Sequence, residues 1–166
     1  MREAAHDPDV EGPVQAEIFV VWLNEHDLVL ELTGPCGAAP WYVQLDATDH
    51  PVTVVERIVR GALGSPKLIH STSWRRDRDA VILSFVVVID AADVGAMDSF
   101  AIGRSALARS EATAAPRAIA SEQVVEHGLR HLAWLAKDDP VVSQELSPAW
   151  KQVLAGYVPE PFRNLG

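Results

Sequence analysis

Hydrophobic and polar positions along the chain switch rhythm several times, and the switches mark the elements. Glu17–Leu23 is dense in β-branched and aromatic residues and predicts a strand. Asn24-Glu25-His26-Asp27 is a turn, and Leu28–Leu32 is the partner strand. A loop at 34–40, rich in Gly, Ala and Pro, leads to a short strand over Trp41–Leu45. The rhythm then becomes helical. Pro51 suits the first helical position because its missing N–H would be unbonded there, and Asp49 or Thr48 can cap the free N–H groups. At 100° per residue, Val52, Val55, Ile58, Val59 and Ala62 share one face, with Thr53, Arg57 and Arg60 on the other. Gly64-Ser65-Pro66 ends this helix.

Lys67–Trp74 and Ala80–Ile89 read as two strands joined by Arg75-Arg76-Asp77-Arg78-Asp79, whose arginines alternate with aspartates as in a solvated hairpin end. Residues 90–120 are Ala-, Ser- and Arg-rich without a clear period, which marks a functional loop or a concealed element. Ser121–Lys137 is a helix, Asp138-Asp139-Pro140 breaks it, and Ser147-Pro148 opens a short helix to about Gly156. The expected organisation is a loosely ordered segment at 1–14, one domain at 15–138, and a helical tail at 139–166 packed on it. One helix mid-sheet and one at the end predict an α/β/α sandwich, a mixed sheet between helices.

Composition narrows the function classes. The chain has 166 residues, enough for one sizeable core, with 48% hydrophobic and 22% charged residues. A net charge of -9 excludes generic attraction to nucleic acid or an anionic membrane. Cys36 is the only cysteine, so neither an internal disulfide nor a cysteine zinc site is on offer, and its thiol is only a candidate for oxidation or labelling. The polar start has no apolar h-region, and the longest apolar run is Phe85–Ile89, so a cytoplasmic location is expected.

The stretch from Thr48 to Gly64 carries the most chemistry. Asp49-His50-Pro51, Arg57, Val59 and Gly64 resemble the Nudix box, G-x5-E-x7-R-E-U-x-E-E-x-G-U, whose helix in many members begins Glu-His-Pro. The resemblance covers roughly residues 16–90, with the Ser121–Lys137 helix as the last element, and implies a Nudix-like α/β/α sandwich. In active members the three box glutamates after the arginine hold Mg²⁺ or Mn²⁺ against a pyrophosphate. Here those places are Ile58, Gly61 and Ala62, and Ile58 and Ala62 extend the apolar stripe toward the core. The resemblance thus implies a non-catalytic protein that binds a nucleotide-like ligand or a protein partner and needs no cofactor. The alternatives are a divergent hydrolase of a nucleoside diphosphate derivative, using Mg²⁺ or Mn²⁺ on ligands from Asp46, Asp49, Asp90 or Glu111, and a homodimeric assembly module.

Other residues sort by chemistry. Asp46, Asp49 and His50 are either a remnant metal site of carboxylate and imidazole or, more simply, a solvated loop in which Asp49 caps the helix. Trp41 and Tyr42 could stack on a base, and Arg57, Arg104, Arg109 and Arg117 could meet a phosphate. His127 and His131 stand at i and i+4, a metal-compatible spacing with no third ligand evident. With Trp134 they form an unusual outer face, to be covered by the tail through Trp150 or by a second copy. Ser99, Ser105 and Ser110 lack a nucleophile-elbow motif.

Overall fold

A computed structural model describes residues 12–107 and 118–157. Its elements are β1 (Val14–Asn24), β2 (Val29–Thr33), β3 (Trp41–Leu45), α1 (Pro51–Ala62), β4 (Leu68–Asp77) and β5 (Ala80–Val88). A 3-10 turn at Ala91–Asp93, β6 (Ser99–Ala101), α2 (Ser121–Asp138), α3 (Pro140–Glu145) and α4 (Pro148–Leu154) follow. The sheet order is β4-β5-β1-β2-β6, with β3 also paired to β1. β2 takes the second half of β1 and β3 the first half, both antiparallel, while β5 runs parallel along its other edge.

β1 is therefore the centre of the sheet and is buried on both faces, as strands covered by helices on each side must be. Ala16, Ile18 and Val20 face α1, where Val54, Val55, Val59, Phe85 and Val87 complete one core. Phe19, Val21 and Leu23 face α2, where Val125, Leu129 and Leu132 meet Trp150 and Leu154 of α4 and Tyr157 just beyond it.

Several expectations need correcting. β1 begins at Val14, three residues before the expected start. The N-cap of α1 is His50, which makes no side-chain capping bond. Asp49 instead closes the preceding turn, its Oδ2 accepting from the Asp46 N–H at 2.8 Å while its own N–H donates to the Asp46 carbonyl at 2.9 Å. The apolar seam of α1 is Val54, Val55 and Val59. Ile58 is half-buried and packs against this core, as expected, while Val52 is 38% exposed and Ala62, with one methyl in the final turn, stays in solvent, so the apolar stripe reaches the box face only at Ile58.

The hairpin turn is only Arg78-Asp79, because β4 and β5 pair as far as Asp77↔Ala80; Arg75 and Arg76 are strand residues. The 90–120 stretch does hold an element, β6, paired with β2 from Glu31↔Ala101 to Thr33↔Ser99. Pro140 does not merely end α2. It is the first residue of α3, whose N-cap Asp139 accepts from the N–H groups of Val141 and Val142.

Candidate functional site

α1 presents its polar side to solvent, and there Thr53, Glu56, Arg57, Arg60 and Gly61 frame a shallow depression of about 410 Å³. Glu56 is engaged by Arg60 at 2.6 Å, and Arg60 also donates to Ser65 Oγ at 2.8 Å. Arg57 is exposed and has no ion-pair partner among the described residues. At the positions of the three box glutamates, Ile58 is half-buried and Gly61 and Ala62 are exposed. This face of α1 thus carries two guanidiniums and one carboxylate, and that carboxylate is already paired.

A second, more enclosed cleft of about 350 Å³ opens where β1 and β5 end side by side. Carboxyl ends of parallel strands are a favoured place for ligands in α/β sheets. Asp90 lines it but is bound to Lys67 at 2.6 Å. Asp93 also lines it and packs over Gly64, whose φ of +133° and missing side chain make room: a Cβ there would lie 2.9 Å from the Asp93 carboxyl carbon. Asp46 and Asp49 lie across the loop before α1. Among the described residues no group of three or more His, Cys, Asp or Glu side chains is arranged to hold a metal ion.

Trp41 and Tyr42 point to opposite faces of β3 because consecutive strand residues alternate. Trp41 is half-buried against the α1 core. Tyr42 is 57% exposed, yet its hydroxyl donates to Glu17 at 2.7 Å. Glu17 sits in the middle of the sheet, 1% exposed, and is held by Arg75 through two bonds of 2.7 and 2.8 Å and by Ser84 Oγ at 3.0 Å. Burial pushes the Glu17 pKa up, but hydrogen bonds from Arg75 and Tyr42 outweigh it and hold the carboxyl below its ordinary value. Burial, then the bond to Glu17, pushes Tyr42 up to about 12.

Arg104 belongs to a second network of this kind. Its Nε and terminal nitrogen hold Glu126 at 3.1 and 2.8 Å, a third nitrogen donates to the Gly156 carbonyl at 2.7 Å, and its guanidinium stacks on Tyr157 at 4.1 Å. Arg130 Nε adds a bond of 2.9 Å to Glu126. Burial opposes ionisation of Glu126, and the bonds from Arg104 and Arg130 prevail, lowering its pKa. Arg104 thus ties the segment after β6 and the end of the C-terminal helices to α2. Arg109, Arg117 and Glu111 lie outside the described residues.

A third histidine joins the two helical ones, in an arrangement that does not converge on a metal position. His70 of β4 places its Nε2 3.4 Å from His131 Nδ1, and the His127 and His131 rings are 4.4 Å apart. All three are half-buried between α2 and the edge strand, so they do not lie opposite the core. Trp150 is 6% exposed within the α2-side core, while Trp134 remains 44% exposed. The described part of the tail, to Tyr157, therefore packs on α2 and leaves Trp134 exposed. Sequence reasoning missed Glu17, Glu126, His70 and Lys67, and only the presence of carboxylates inside apolar runs hinted at the first two.

No protein-family model matches this chain, and no curated protein matches it. No helix among the described residues is long and apolar enough to cross a membrane. Among solved structures it is similar to a MutT/nudix family protein from Enterococcus faecalis, at 14% identity and a TM-score of 0.53 over 88% of this chain and 71% of that one. At that identity the likeness shows the fold alone, and the fold of this chain is a Nudix-like α/β/α sandwich.

Proposed function

We propose that this protein is a non-catalytic Nudix-like protein that binds a nucleotide-like, phosphate-bearing ligand without metal-dependent pyrophosphate hydrolysis. The observation that carries this reading is the polar face of α1. A hard divalent cation needs several oxygen ligands, and this face supplies hydrophobic or absent side chains at the three box positions. Beside them stands Arg57, exposed and without an ion-pair partner among the described residues, in a depression it shares with Arg60. A guanidinium binds phosphate oxygens directly in a planar fork, so it can take over the charge neutralisation that a metal would provide. In a chain of net charge -9, such a local positive site is a selective feature rather than a general one.

Calorimetry with a non-hydrolysable dinucleotide, with and without Mg²⁺ or Mn²⁺, tests this. Binding without metal that is lost in Arg57→Glu supports the proposal. Binding only with metal, together with turnover of a hydrolysable dinucleotide, would replace it with a divergent hydrolase drawing on Asp46, Asp49 or Asp90. No heat under any condition would move the function to a protein partner.

A second reading, self-association, is favoured by one observation. Trp134 stays 44% exposed on α2, one turn from the half-buried His131, although the C-terminal helices pack on the same helix.

A further inference from the structure

The three clustered histidines play no part in the α1 site, and their arrangement has its own consequence. His127 and His131 stand one turn apart on α2, and His70 reaches them from the edge strand β4. His70 Nε2 lies 3.4 Å from His131 Nδ1, and the His127–His131 ring centroids are 4.4 Å apart. His127 is also hydrogen-bonded to the Thr72 backbone on β4. Next to His127, Gly128 brings α2 against Val86 of β5 and Thr72. The histidines thus fill the outer flank of the contact between helix and sheet edge.

We propose that His70, His127 and His131 form an acid-sensitive latch, closing α2 onto β4 when all three rings are neutral and releasing it when they are protonated. A neutral pair can share one proton across the His70–His131 contact, one nitrogen donating and the other accepting. Two imidazolium rings cannot, since each then presents only donors, and their charges repel at this distance. The charged group that bears on the cluster from α2 is Arg130, which is positive and bonded to Glu126 Oε1. His70 itself comes from β4, as does the Thr72 backbone bonded to His127, and the β5 residue paired with His70 is the apolar Val86. Among the described residues no carboxylate lies within ion-pair distance of any of the three rings, so nothing there compensates a second positive charge.

Burial is the main influence holding all three rings below the ordinary histidine value of 6.5, joined at His70 and His131 by the charge of neighbouring histidines and at His127 by that of Arg130, which together outweigh the Thr72 backbone bond to His127. The sign follows. The unfolded chain takes up protons first, so the latch's stabilisation is complete above about pH 6.5 and is lost as pH falls through the lower native values. Each histidine neutral in the native state and charged in the unfolded state changes the unfolding constant tenfold per pH unit. Three together change it by up to about 1000-fold per pH unit within that window. What releases first is α2, and with it the Glu126 anchor for Arg104 and the chain's C-terminal helices.

The test is urea unfolding from pH 7.5 to 5.5 of the full chain, of His70→Gln/His127→Gln/His131→Gln, of His131→Gln alone, and of His26→Gln, whose side chain is 94% exposed. The midpoint should fall steeply with pH in the wild type and in His26→Gln, less steeply in His131→Gln, and least in the triple variant. Should the triple variant not fold, nitrogen-resolved NMR of the wild-type imidazoles gives the same answer. All three should titrate below 6.5, with amide exchange rising in α2 and β4 before β1 and β5. Equal slopes in all variants, or rings titrating at or above 6.5, would overturn the latch. So would a neutral-pH midpoint lowered by EDTA and raised by Zn²⁺ only when the histidines are present, because that would assign the cluster to a metal.

Discussion

Two glycines in helices, replaced by the same residue, should move stability in opposite directions. Gly128 lies in the middle of α2, where alanine is intrinsically better than glycine by about 1 kcal/mol. Against this stands geometry. A Cβ at Gly128 would lie 2.4 Å from Val86 Cγ2 and 3.1 Å from Thr72 Cγ2. Carbon atoms pack at about 3.5–4.0 Å, so the first contact is more than 1 Å too short. Val86 cannot step aside, because it is fully buried, β-branched and hydrogen-bonded between β4 and β1. The helix must lift or tilt instead, which opens a gap beneath Leu129 and Leu132, both fully buried. Such overpacking costs about 1–3 kcal/mol, and a gap of an ångström forfeits up to about half of each affected contact. The steric loss exceeds the propensity gain, and Gly128→Ala should be net destabilising by about 1–2 kcal/mol. Gly61, in the last turn of α1, meets nothing within 4 Å. Gly61→Ala should therefore be stabilising by about 0.5 kcal/mol, reduced from the mid-helix value by its terminal position. Urea unfolding followed by circular dichroism, with an unchanged m-value, measures both. A Gly128→Ala protein as stable as the wild type would refute the close seating of α2 on the sheet. A loss at Gly61 as large as at Gly128 would show that neither effect depends on the contact described.

The remaining expectations concern charge and surface. Glu17→Gln leaves Arg75 facing a neutral amide and should lower stability by about 3 kcal/mol, near the lower limit for a broken buried pair because the Arg75 side chain is 21% exposed. Since the native Glu17 pKa is lowered, its stabilisation is present above the unfolded value near 4.5 and is lost as pH falls through the native one. The variant should therefore show a flatter acid limb in pH-dependent unfolding. Tyr42, pushed up to about 12, should move back toward its ordinary 10.0 in the same variant, read from phenolate absorbance. Trp134→Ala should lower the solution mass measured by light scattering if the exposed tryptophan mediates self-association; an unchanged mass removes that reading.

Element order was legible because it is local. Pro51 at the first turn of α1, the β-branched runs of β1 and β5, and the helical period of α2 each act over a few residues. The elements that were missed are those whose stability comes from elsewhere. β6 is three residues long and exists because Glu31–Thr33 of β2 offers it an edge. α3 was readable in principle, since Asp139-Pro140 is a helix start as well as a helix stop, and only the packing of Val142 into the α2-side core decides between them. His70 could not be linked to His131 in advance, because the two meet through a strand and a helix 61 residues apart.

The arginines show the same limit at the level of function. As sequence, Arg57 and Arg104 are alike, each able to hold a phosphate in an acidic chain, and Arg75 reads as a solvated hairpin end. The structure separates them by what lies opposite. Arg75 meets Glu17 because the register places Ser84 and Tyr42 on either side of that carboxylate, making a pocket of donors that only an ionised acid can satisfy. Arg104 meets Glu126 because α2 turns that residue inward, away from water, where a guanidinium must follow it. Arg57 stands on the solvent side of α1, where Glu56, the one carboxylate among the described residues that frame the depression, already belongs to Arg60. An arginine facing a buried carboxylate is committed to the fold, since withdrawing it would strand a charge. An arginine facing water carries no such obligation. This is the physical ground for proposing Arg57, rather than Arg104 or Arg75, as the arginine open to a phosphate, and it is set by strand register and helix rotation rather than by any local motif.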